Sequence, residues 1–171
     1  MIFASTYGIL FLGTPHNGSS KAHMASTARR IVSAVTPSKL VDTDGQLLKA
    51  LEEGSEVLQN VTDAFTPLMK NFRLFFFWEQ LKTDLGYTKD YVVDESSAAP
   101  ILYDVERAGL PYDHRAMTKF ESSSSPGYSL IVSSLKRYAK FAPETIERRQ
   151  AHASRMLRTK WEEEAAELMR C

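Results

Sequence analysis

The chain has 171 residues, 43% of them hydrophobic and 25% charged, enough for one domain, or a domain with an appendage, around a real core. Its 21 basic and 21 acidic side chains cancel to a net charge of +0, so the broad positive field that nucleic-acid binding needs is absent. A single cysteine, Cys171, excludes an intrachain disulfide and a cysteine-rich metal site and fits a reducing, intracellular and cytoplasmic setting.

The start, MIFASTYGILFLG, is apolar but has no basic n-region and no small-residue cleavage site, so it reads as a buried strand behind a short stub rather than a signal peptide. No apolar run is long enough for a transmembrane segment. Gly8–Gly13 is a short apolar run ended by glycine and a Pro-containing turn, the pattern of a strand covered on both faces of a parallel sheet. Lys21–Val35 predicts a helix closed by Thr36-Pro37. Asp42–Met69 predicts a longer one, because Leu47, Leu48, Leu51, Val57, Leu58, Val61, Phe65 and Leu68 recur at steps of three and four, with Gly54 as a bend.

Phe72–Trp78, FRLFFFW, reads as a buried aromatic strand, and Tyr91–Asp94, YVVD, as a further short one. Ser96–His114 is mixed and punctuated by Pro100 and Pro111, and Ser122–Gly127 is a flexible turn. Tyr128–Phe141 predicts a helix with Tyr128, Ile131, Val132, Leu135 and Tyr138 on one face, interrupted by Pro143. Residues 143–171 turn charged and poor in large apolar side chains. Pro143 suits a first helical turn and Glu144 and Glu147 favour its positive end, so this part reads as a charged helical tail or linker behind a domain over 1–142. Strands alternating with helices predict α/β layering over a short, mostly parallel sheet, with at least one raw edge.

A Ser-His-acid machine needs an oxygen nucleophile, an imidazole to take its proton and a carboxylate to orient the imidazole. When the order is Ser, acid, His, the acid follows one strand and the histidine the next. Glu79 ends the aromatic strand and His114 follows the YVVD strand, in a loop-like stretch beside Asp113, so these two are the candidate catalytic residues. Asp90 and Asp94 compete for the acid's role, and Asp94 reads rather as a turn former. His16, in the loop after the first strand, reads as a loop-stabilising hydrogen bonder. No G-x-S-x-G occurs; the nearest match is Gly18-Ser19-Ser20-Lys21-Ala22, in which an N-cap and turn is the plainer reading and Ser20 the remote nucleophile. Nothing requires a cofactor: there is no G-x-x-x-x-G-K-[ST], no G-x-G-x-x-G, and no H-E-x-x-H or cysteine pair for zinc.

Four segments together carry a family resemblance. GILFLGTPHNGSS, FFFWEQ, YVVDESSA and YDHRAMTKFESSSSPGY occur in that order over about Tyr7–Tyr138. The set resembles the lipase-like serine esterases related to the serine-active-site-containing protein, common in fungi as N-terminal domains of NACHT or NB-ARC signalling proteins. The resemblance implies the C-terminal half of an α/β-hydrolase, with His114 as the catalytic histidine and Glu79 as the acid. It places the family's nucleophile elbow upstream of the TPH segment, so that the chain alone is expected to lack it and to be inactive. Asn17 stands where the family has a basic residue, and Gln80 where it has Thr. An ester or lipid substrate of a full-length parent follows from this reading. The alternative is a non-catalytic signalling or interaction module ahead of an NTPase domain.

Overall fold

A computed structural model describes residues 2–16, 21–35, 60–61 and 63–169. In chain order the elements are α1 (Ile2–Ser5), β1 (Gly8–Leu12), α2 (Lys21–Val35), a helical stretch α3 over 63–69, β2 (Arg73–Glu79), β3 (Thr83–Asp84), β4 (Lys89–Asp90), α4 (Glu95–Ala98), β5 (Glu106–Leu110) and α5 (Tyr128–Leu168). The architecture is a short, mostly parallel three-stranded sheet flanked by helices, in the order β1-β2-β5, with a two-stranded β3-β4 excursion between β2 and β5. The larger part of the helix expected over Asp42–Met69, with Gly54, falls outside the described residues, as does the Thr36-Pro37 stop.

Two compact units are present. The larger is Ile9–Ile131; the smaller joins Met1–Gly8 to Val132–Cys171. The larger unit is organised by β2. Its apolar run is buried on both faces because the strand is central, with β5 parallel to it from Phe75 opposite Glu106 to Glu79 opposite Leu110. Side chains alternate across the sheet. On one face Phe75 and Phe77 stack at 4.2 Å and pack with Leu10, Leu12, Leu110, Met117 and Ile131. On the other, Leu74 and Phe76 pack with Met69, Ala99, Ile9, Phe11 and Phe65. Trp78 extends from this cluster to a third, in which Ile31 and Ala34 of α2 meet Leu85, Val92, Val93 and Ala98. Each fully buried Phe contributes about 1.5–3 kcal/mol relative to exposure.

In the smaller unit the Tyr7 ring meets Tyr138 edge-on at 5.9 Å, and Arg149 donates to the Thr6 carbonyl at 2.6 Å while lying over the Phe3 ring.

Three expectations are corrected. Tyr91–Asp94 is not a strand: Val92 and Val93 are buried in an irregular loop that leads into α4. The third strand of the sheet is instead Glu106–Leu110, ERAGL, inside the stretch that reads as mixed. And Pro143 does not interrupt the last helix, which runs continuously from Tyr128 to Leu168 with Pro143 inside it.

Candidate functional site

The carboxyl ends of β1, β2 and β5 supply the parts of one constellation. Glu79 is the last residue of β2, and Gly13 follows β1 directly. His114 lies beyond β5 in a tight turn that starts at Asp113. Asp113 builds this turn: its carbonyl accepts from the Ala116 and Met117 amides, and its carboxylate accepts from Ala116 as well, at 2.9 Å. Asp113 is therefore occupied by the backbone, and the acid that His114 faces is Glu79. The two carboxylates that compete for the role are engaged elsewhere. Asp90 pairs with Arg30 at 3.2 Å and with Lys82 at 3.7 Å, whereas Asp94 caps α4, accepting from the Ser97 amide.

The Glu79 side chain has 0% exposure, that of His114 19%, and His114 Nδ1 stands 3.3 Å from Glu79 Oε1. That approach lacks the alignment of a hydrogen bond, and among the described residues Nδ1 finds no other partner. Catalytic hydrogen bonds are often loose in this way until substrate is bound. The carboxylate itself is well held. Val93 N–H donates to Oε1 at 2.8 Å, and the Thr83 hydroxyl lies 3.3 Å from Oε2. The same hydroxyl accepts from the His114 amide at 3.1 Å.

Two further groups fix the histidine. Arg115 turns away from the pair and donates through Nε to the Ala34 carbonyl and through a terminal nitrogen to Ser33 at 3.2 Å, closing the carboxyl end of α2. Gly13, at φ +63°, lies under the imidazole. A Cβ there would come within 2.9 Å of His114 Cε1 and Met117 Sδ, and 3.0 Å of His114 Nδ1. Glycine is thus required twice at this position, by the left-handed backbone and by the ring above it.

His16 is not part of the pair. Its ring meets Phe11 at 4.4 Å and Phe76 at 4.9 Å, on the face of β2 opposite Phe75 and Phe77, whereas His114 adjoins Met117 of the Phe75–Phe77 side. Its backbone N–H donates to the Ser97 carbonyl at 2.8 Å, so the loop-stabilising bond is made by the main chain. His16 is 7% exposed, its Nε2 has no partner among the described residues, and burial lowers its pKa from 6.5 to about 4. It is a neutral core ring at ordinary pH.

Ser20 and its neighbours Asn17, Gly18 and Ser19 lie outside the described residues. Sequence reasoning missed Thr83, Val93, Gly13 and Arg115. Gly13 had a readable signal, a glycine closing an apolar strand before a turn. Thr83 and Arg115 sit in polar stretches that offer none, and Val93 acts through its backbone. Among the described residues no group of three or more His, Cys, Asp or Glu side chains is arranged to hold a metal, and no helix is long and apolar enough to cross a membrane.

Chemically, the arrangement can hold an imidazole with one nitrogen toward a buried carboxylate and leave the other, Nε2, to accept and return a proton. Compared with protein-family models, curated proteins and solved structures, the chain matches none.

Proposed function

We propose that the chain carries the acid–imidazole half of a serine hydrolase acting on carboxylic esters. In this reading it is the C-terminal part of an α/β-hydrolase, with His114 as general base and then general acid and Glu79 as the group that orients it. The observation that carries the reading is the fully buried Glu79 carboxylate facing His114 Nδ1 at 3.3 Å, over the carboxyl edge of a parallel strand pair. Order supports it too: acid at the end of β2, histidine after β5, with β5 next to β2 in the sheet. The substrate class rests on the resemblance to lipase-like serine esterases. The sequence contains no G-x-S-x-G, so the chain by itself is expected to turn over no ester.

The test is fluorophosphonate labelling and ester hydrolysis by this chain beside an N-terminally extended form. The extended form should label and hydrolyse, and the short chain should do neither. In the extended form, His114→Asn and Glu79→Gln should each lower turnover by roughly a hundredfold or more. Asp90→Asn and Asp94→Asn should retain it within a few-fold. Wild-type turnover by the His114→Asn variant would remove the proposal, and labelling of Ser20 in the short chain would place the nucleophile within this chain.

A further inference from the structure

Thr83 is a polar residue with no exposure, placed between the two halves of the site. Its position in β3 gives a plain reason for a β-branched side chain, and β3 needs no hydroxyl, since its backbone pairs with β4, Thr83 opposite Asp90. Yet the hydroxyl oxygen makes two contacts, to the His114 amide at 3.1 Å and to Glu79 Oε2 at 3.3 Å. Chemistry fixes the direction of both. An amide N–H can only donate, so the hydroxyl accepts from His114. Its single proton is then left for the carboxylate, which can only accept. The result is one directed chain, His114 N–H to Thr83 O–H to Glu79, in which each bond polarises the next.

We propose that Thr83 is a positioning residue: its hydroxyl latches the His114 turn to the Glu79 carboxylate and so sets the distance between imidazole and acid. This rests on the reading of Glu79 and His114 as a working pair. Among the described residues no other side chain makes a hydrogen bond to Glu79, and the bond to Oε1 comes from the Val93 backbone. With Thr83 wholly buried, no bulk water stands ready to replace it, and a missing hydroxyl leaves an amide and a carboxylate oxygen unpartnered together.

Two substitutions separate the latch from simple packing. Thr83→Val keeps the shape and removes the hydroxyl; Thr83→Ser keeps the hydroxyl and removes a methyl. The latch requires that Ser preserve the site and Val disrupt it, whereas a packing role requires the reverse. The first measurement uses the chain as it is. By NMR, the Thr83 hydroxyl proton and the His114 amide proton should both be protected from solvent exchange in the wild type. In Thr83→Val the His114 amide should lose protection and the ring its single orientation; in Thr83→Ser both should persist. In the extended form, Thr83→Val should lower kcat by roughly tenfold to a hundredfold with KM little changed, and Thr83→Ser should stay within about threefold. A freely exchanging Thr83 hydroxyl in the wild type overturns the latch, even if Thr83→Val fails to fold. An ordered His114 ring in Thr83→Val overturns it equally. A protected hydroxyl and a ring released by Val, in a protein that hydrolyses no ester in either form, would keep the latch and remove the hydrolase reading alone.

Discussion

His16 shows what a single buried ring costs. Its neutral form is the one the core accepts, with the pKa lowered from 6.5 to about 4 by desolvation. Above pH 6.5 the ring is neutral folded or unfolded, and its contribution to stability is complete. As pH falls through 6.5 the unfolded chain takes up the proton first, so stability declines at up to about 1.4 kcal/mol per pH unit until the folded ring titrates near 4. His16→Phe, which keeps an aromatic ring between Phe11 and Phe76, should flatten that segment. Urea denaturation from pH 7 to pH 4 in both proteins isolates the effect as the difference between two curves. Gly13 gives the opposite kind of expectation, independent of pH. Gly13→Ala forces a left-handed residue and a contact with His114 at once, so it should cost about 1–3 kcal/mol and displace the imidazole. Denaturant midpoints read the first and the His114 ring resonances the second.

Among the elements, the contrast between β2 and β5 explains how far the chain could be read from its letters. FRLFFFW is legible because a central parallel strand must be apolar on both faces, and the fold is largely decided once that strand is known. ERAGL is not: Glu106, Arg107, Ala108 and Gly109 have no strand signature, and the segment is a strand because β2 offers it a ladder. The doublet Val92-Val93 misleads in the other direction. It signals burial correctly, but the chain there is turning toward α4, so the pair is buried without joining a ladder. The expected order, Glu79 at one strand's end and His114 after a later strand, survives the change of strand. α5 also carries an expectation of its own. Proline in a helix interior removes one hydrogen bond and crowds the carbonyl four residues back, a cost of about 3 kcal/mol. Pro143→Ala should therefore raise stability, by up to that amount, with a matching rise in thermal midpoint followed by circular dichroism.

At the scale of the molecule, the two compact units differ in how they hold their backbone. The larger is built on three clusters of buried side chains, whereas the far half of α5 in the smaller exposes Met156, Leu157, Leu168 and Trp161, the last at 64%. Buried contact is what resists local opening. Amide hydrogen exchange should accordingly be slowest at Phe75–Phe77 of β2 and faster by orders of magnitude over residues 151–169. Phe77→Ala, which empties the centre of one cluster, should cost about 3–5 kcal/mol and accelerate exchange across the larger unit together. A change confined to β2 would mean that the three clusters do not unfold as one.

The bond from Val93 N–H to Glu79 has a practical corollary for genetics. Because the donor belongs to the peptide group, every ordinary replacement at codon 93 except proline leaves it in place, and alanine scanning would record only the lost packing of a core valine. Half of the acid's support is thus silent to every side-chain survey. Only proline, or a backbone ester introduced by chemical synthesis, deletes that donor and brings it into view.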